Sequence, residues 1–241
     1  MKQIYKNIVQ SVSNGKKLLA VLIDPDKFQI EHTPAFISKV NASIATHIFV
    51  GGSEVQEQLT DILVNEIKKH TQLPIVLFPG DVTQITNKAD GLLFLSLISG
   101  RNPEYLIGKH IKAVSKLKGT QLDIIPTGYL LIENGKETAV QRVTQTQPMP
   151  KNNSEHIVNT AKAGEFLGMK LIYLEAGSGA CELISESIIS KVKSELNIPL
   201  IVGGGIRSKI QMNAAYQAGA DVVVIGTAFE EDESFFDSLK K

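Results

Sequence analysis

KLIYLEAGSG (Lys170–Gly179), LIVGGG (Leu200–Gly205) and VVVIGT (Val222–Thr227) decide the fold. Each is a nearly continuous apolar run that stops at glycine. A strand with one wet face alternates apolar and polar residues, whereas a strand apolar throughout is covered on both faces, as in a parallel sheet flanked by helices. Five more runs of this kind lie upstream, at Lys17–Asp24, His47–Gly52, Pro74–Gly80, Gly91–Ser99 and Leu122–Ile132. Eight such strands close a (β/α)8 barrel.

The intervening segments fit that reading. Ser53–His70 carries Val55, Leu59, Ile62, Leu63 and Ile67 at helical spacing, opens on a capping Ser and stops before Pro74. Glu104–Leu117, Ser154–Leu167, Ser185–Leu196 and Lys209–Ala218 are periodic in the same way. Asp81–Asp90 is too short for a helical crossover, so the third helix is expected to be missing or rudimentary. Glu133–Pro150 (ENGKETAVQRVTQTQPMP) is a long polar segment without a periodic face, of the kind that forms lids, binding elements or oligomer contacts. No linker or shift in composition divides residues 1–241, which read as one TIM-barrel domain.

The chain has 241 residues, 25 Lys+Arg against 25 Asp+Glu, 21% charged and 43% hydrophobic residues. Those values exclude a disordered or fibrous chain. The neutral balance argues against a nucleic-acid partner bound through a broad basic face. A lone cysteine, Cys181, allows no internal disulfide or thiolate cluster, and a reducing cytoplasm is the expected compartment. Met1–Ser13 lacks the pattern of a signal peptide, and the longest apolar run, Gly91–Ile98, is too short to span a bilayer. A soluble protein that touches a membrane only transiently is expected.

In a (β/α)8 barrel the chemistry lies at the C-terminal ends of the strands. Here those ends read LIDPDK with Asp24, VGGS with Ser53, YLEAGSG, VGGGIRS and VIGTA. Three successive glycine-bearing ends, at Gly177–Gly179, Gly203–Gly205 and Gly226–Thr227, let backbone N–H groups approach an anion and point to a phosphate-bearing ligand. Tight strand-to-helix turns would also use glycine. Asp24, with Ser53 on the adjacent strand, is the sparse oxygen set that Mg²⁺ accepts when substrate phosphates complete it, while a turn-stabilising role before Pro25 is the plainer alternative. Glu175 interrupts an apolar strand and suits a general base; a structural ion pair is the competing reading. Tyr173 shares its side of the strand by the period of two, although packing alone would account for it. Lys109 and Arg207 are phosphate contacts or solvated helix starts. His47 and His110 have no ligand spacing, and Cys181 is expected to be buried or capping.

Taken in order, IDPDK, GGS, YLEAGSG preceded by LGMKLI, GGGI and IGT resemble the geranylgeranylglyceryl phosphate synthases and their bacterial heptaprenylglyceryl phosphate relatives, from Leu22 to about Phe229. The segment after PTGYLL resembles the larger, archaeal-like group of that family. The resemblance implies a modified TIM barrel whose third helix is replaced by a non-helical segment. It also implies a Mg²⁺-dependent prenyltransferase joining sn-glycerol 1-phosphate to a polyprenyl diphosphate, with geranylgeranyl the expected tail, and a homo-oligomer, either a dimer or an assembly of dimers. Carried over by motif, Asp24 and Ser53 match magnesium positions. Tyr173, Leu174, Glu175, Ala176, Gly177, Ser178, Gly179, Gly204, Gly205, Gly226 and Thr227 match the glycerol-phosphate site, with Glu175 beside the acceptor hydroxyl. The chain has no Trp, so Phe and Tyr must serve any aromatic gating of the tail. Phe78, Leu97, Ile98, Tyr105 and Tyr129 are expected to line the tail groove, near Asp81–Asp90. A sugar-phosphate isomerase or aldolase, or a non-catalytic phosphate-binding barrel, would share the glycine loops.

Overall fold

Val-, Ile- and Leu-rich runs become strands because both of their faces find apolar cover. A computed structural model describes residues 3–241, which run α1 (Ile4–Ser13), β1 (Leu18–Ile23), α2 (Thr33–Ala42), β2 (His47–Val50), α3 (Leu59–Ile67), β3 (Ile75–Leu77), β4 (Gly91–Leu97), α4 (Lys109–Leu117), β5 (Asp123–Leu131), α5 (Ala139–Thr144), α6 (Ser154–Phe166), β6 (Leu171–Glu175), α7 (Glu186–Glu195), β7 (Leu200–Gly203), α8 (Lys209–Gln217), β8 (Val222–Ile225) and α9 (Thr227–Glu231). The strands form a closed barrel in sequence order, every neighbouring pair parallel. The seam between β1 and β8 pairs Leu18 with Val222 through Val21 with Ile225.

The period of two sorts each strand into two cores. Leu18, Ala20, Phe49, Val76, Leu93, Ile125, Leu171, Tyr173, Ile201, Val222 and Val224 fill the barrel interior. Their neighbours Leu19, Val21, Ile48, Val50, Leu92, Ile172, Leu174, Val202 and Val223 pack outward against Phe36, Ile37, Leu63, Val64, Ile157, Ile188 and Met212 of the helices. The continuous apolar reading follows from this double burial.

Between β3 and β4 the chain makes only a 3₁₀ turn at Val82–Gln84, so the third helix is rudimentary as the short connection required. Asp81 caps that turn, its carboxylate accepting from the Thr83 N–H at 3.2 Å. Helix α3 departs from expectation. It starts at Leu59, after Gln58 in a left-handed conformation (φ 74°), and Ser53 caps nothing. The six residues from Ser53 to Gln58 form a loop at the barrel mouth instead. Helices α1 and α2 were not visible as periodic segments. Helix α1 buries Ile4 and Ile8 in the interior core and thereby closes the bottom of the barrel, with its Tyr5 N–H held by the Asp123 carboxylate at 2.9 Å.

The polar segment 133–150 is not wholly irregular. Its base is pinched by a bridge between Ile132 and Met149, and Thr138 caps the short α5 by accepting from the Gln141 N–H at 3.0 Å. Cys181 is exposed, contrary to expectation, because Ala180 and Ile184 take the buried slots of the loop after β6. Among the described residues no helix is long and apolar enough to cross a membrane.

Candidate active site

Two cavities meet at the C-terminal mouth. The polar one is lined by Asp24, Lys27, Ser53, Tyr173, Glu175, Ser178, Gly204, Gly205, Gly226, Thr227 and Glu230, among others. The apolar one runs between β4, α4 and the helix-less connection, against Val82, Ile85, Leu92, Leu97, Tyr105, His110 and Ala113. Gly52, Ser53, Phe78, Tyr129 and Val140 line both and form the shared wall. Phe78 and Tyr129 stand there with Tyr173, the ring centroids of each with Tyr173 5.3 Å apart.

The strand ends place the polar groups. In β6, Tyr173 and Glu175 face inward. Leu174 and Ala176 face the helices and belong to the outer core, so their side chains stay out of the cavity. Gly177 gives its N–H to Glu175 Oε1 at 2.6 Å, and neither it nor Gly179 lines the cavity. Ser178 reaches across to the end of β8, its Oγ 3.3 Å from Thr227 Oγ1. Gly204 must be glycine: its φ is +89°, and a Cβ there would lie 2.5 Å from Glu175 Oε1.

Glu175 is 5% exposed and makes no ion pair among the described residues, which removes the structural-pair alternative there. Burial pushes its pKa up to about 7, opposed by the Gly177 N–H and the neighbouring Tyr173 hydroxyl. That hydroxyl is fully buried. It lies close enough to act on Glu175 electrostatically yet has no hydrogen bond of acceptable geometry. A buried polar group without a partner calls for an explanation, and a ligand in the adjoining cavity would supply one.

Asp24 stands across the cavity. Its Oδ1 accepts from the Asp26 N–H at 3.1 Å, and Lys27 Nζ lies 3.4 Å from Oδ2. Burial raises its pKa, against the Asp26 N–H and Lys27. A Cβ on Gly52 would come within 2.6 Å of Asp24 Oδ1, so the carboxylate rests on the backbone that carries Ser53. Among the described residues no group of three or more His, Cys, Asp or Glu forms a ready-made metal cage. One carboxylate and one hydroxyl fit a Mg²⁺ ion that takes its remaining oxygens from substrate and water.

Four of the five expected groove residues, Phe78, Leu97, Tyr105 and Tyr129, line the apolar cavity. Ile98 does not. Its Cδ1 lies in the notch left by Gly128 and Gly164, between β5 and α6. Lys109 lines the apolar cavity, paired with Asp81 and lying 4.5 Å over the Tyr105 ring. Arg207 lies at the rim of the polar cavity and pairs with Glu231. His110 is a buried imidazole in the wall of the apolar cavity, edge-on to Phe94 at 4.4 Å, its pKa lowered by burial. His47 is far from the mouth, near the start of β2, and burial lowers its pKa to about 4.

Sequence reasoning missed Glu230, the α5 residues Val140, Val143 and Thr144, and the pair Glu54–Arg142. Only the anomalous length of segment 133–150 hinted at the last two sets.

The fold and the paired cavities define a (β/α)8-barrel protein whose mouth joins a polar cavity to an apolar one. The profile of the PcrB family matches residues 12–241. The chain is 57% identical over 233 residues to the geranylgeranylglyceryl phosphate synthase of Zunongwangia profunda, covering 97% of this chain and 99% of that protein. It is 40% identical to the synthase of the same name from Pyrococcus furiosus, covering 94% and 90%. Its structure matches the crystal structure of (S)-3-O-geranylgeranylglyceryl phosphate synthase from Thermoplasma acidophilum in complex with substrate sn-glycerol-1-phosphate, with a TM-score of 0.92 and 32% identity over 99% of this chain and 96% of that one. The chain belongs to the PcrB family.

Proposed function

We propose that this chain transfers a polyprenyl group, geranylgeranyl being the expected one, from its diphosphate to a hydroxyl of sn-glycerol 1-phosphate. The products are a prenylglyceryl phosphate ether and pyrophosphate. One observation carries the reading: the cavity holding Glu175 and the glycine loops shares a wall with a cavity lined by apolar side chains. A sugar-phosphate isomerase or aldolase, or a simple phosphate-binding barrel, has no use for the second chamber. The likeness to synthases of this name, one of them bound to sn-glycerol-1-phosphate, supports the same reading.

In this reading the loops at Ser178, Gly204–Gly205 and Gly226–Thr227 hold the glycerol phosphate and aim one of its two free hydroxyls at Glu175. The prenyl tail lies against Leu92, Leu97 and Tyr105, with its diphosphate at the shared wall. The bond from the allylic carbon to the diphosphate oxygen breaks, and its electron pair leaves with pyrophosphate. The hydroxyl oxygen bonds to that carbon and its proton passes to Glu175. Phe78 and Tyr129 keep bulk water from the reacting carbon. A Mg²⁺ ion held by Asp24 and Ser53 would supply charge neutralisation on the leaving group.

The test incubates the protein with Mg²⁺, sn-glycerol 1-phosphate and polyprenyl diphosphates of increasing length. The expected result is a prenyl ether with stoichiometric pyrophosphate, lost on chelation of the metal and in Asp24→Asn at unchanged circular dichroism. No ether at any tail length would overturn the reading.

A further inference from the structure

The donor must place its tail in the apolar cavity and its diphosphate where the two cavities meet, at Ser53, Phe78, Tyr129 and Val140. Four cations line the cavities among the described residues: Lys27, Lys109, Arg142 and Arg207. Three are committed elsewhere. Lys27 lies between Asp24 at 3.4 Å and Glu230 at 3.9 Å. Lys109 is half-buried against Asp81 and the Tyr105 ring. Arg207 pairs with Glu231, both about half-exposed, and stands after β7, a strand that gives no residue to the shared wall.

Arg142 differs in position and in partner. It stands on α5, two residues after Val140 of the shared wall, and pairs at 3.2 Å with Glu54, the neighbour of Ser53. The two side chains are 58% and 66% exposed, so the pair is weakly held and open to exchange. Its helix is nevertheless fixed in place, because Asn102 donates to the Thr144 carbonyl at 2.8 Å and the Tyr105 hydroxyl to the Val143 carbonyl at 3.2 Å.

We propose that Arg142 binds the diphosphate of the prenyl donor, exchanging its bond to Glu54 for phosphate oxygens, so that α5 is the diphosphate-binding element of the site. This rests on the prenyl-transfer reading above. A guanidinium presents a fork that matches two phosphate oxygens, and an anion of higher charge at the junction outcompetes one exposed carboxylate. The polar segment 133–150 thereby acquires a role: it holds a cation over the junction of the two chambers.

The experiment is calorimetric titration of the full chain with inorganic pyrophosphate and Mg²⁺. Arg142→Ala is expected to weaken pyrophosphate binding about tenfold or more. Arg142→Lys should fall between it and the wild type, and Glu54→Gln should bind at least as tightly as the wild type. Steady-state kinetics should show a raised KM for the polyprenyl diphosphate in Arg142→Ala and an unchanged KM for sn-glycerol 1-phosphate. Pyrophosphate affinity unchanged in Arg142→Ala, or a wild-type chain that binds no pyrophosphate, would overturn the proposal. Absence of prenyl ether from the wild type would sink the transfer reading, and the titration would still decide whether Arg142 binds diphosphate.

Discussion

Glu175 sits at half-protonation near neutral pH because burial penalises its charge more than one amide and one hydroxyl support it. As the proposed base it must be ionised, so kcat/KM for the acceptor should rise with pH and level off above an inflection near 7. Glu175→Gln should lower turnover about 10²- to 10⁴-fold while sn-glycerol 1-phosphate still binds, measured by calorimetry. The same residue carries a stability signature. Its folded-state pKa lies above the ordinary 4.5, so the protonated form favours folding. That contribution is complete below 4.5 and is lost as pH rises through about 7. Glu175→Gln should therefore gain stability over the wild type as pH is raised from 5 to 8, by up to about 3 kcal/mol in urea titrations. A carboxylate inside an apolar run is legible in sequence. Glu230 is not, because it lies on α9 beyond the end of β8, and only the fold brings it to Lys27 and Asp24.

Elements too short for periodicity escaped the sequence, and two of them shape the site. Helix α5 is six residues long, and its apolar Val140 and Val143 are too few to mark a face. Yet it covers the junction of the two cavities. The absent third helix could be read from chain length alone, because Asp81–Asp90 cannot cross from one parallel strand to the next as a helix. What replaces it could not be read: Gly80 packs its backbone onto Gly52 and Ser53, leaving a slot between the connection and α4 open. Helix α1 plays the structural counterpart at the other end. Ile8→Ala should cost about 2–5 kcal/mol in urea unfolding, with KM for sn-glycerol 1-phosphate unchanged, since Ile8 packs at the barrel bottom.

At the scale of the molecule, closure makes every strand depend on its neighbours. Val223 of β8 pairs with Leu19 of β1 on one side and Val202 of β7 on the other. Val223→Pro removes a ladder donor and forces the backbone in the closing seam, a cost of about 3 kcal/mol or more. The expected outcome is joint loss of far- and near-ultraviolet circular dichroism across the whole barrel, with no local fraying of one strand. The formal net charge of zero is compatible with the proposed handling of phosphates, because in that reading the site would work through backbone N–H groups, a buried base and a few local cations. The sequence by itself determined the barrel, the rudimentary third helix and the strand ends that gather at one mouth, since parallel pairing buries both strand faces and glycine marks where the backbone turns tightly. Only the tertiary structure decided that Leu174 and Ala176 turn away from the site, that Ile98 leaves the apolar cavity, and that Arg142 and Glu54, 88 positions apart, meet in the wall of the polar cavity. The period of two tells which residues share a face, but which face turns inward depends on register and long-range contacts depend on closure, neither of which a local pattern of residues contains.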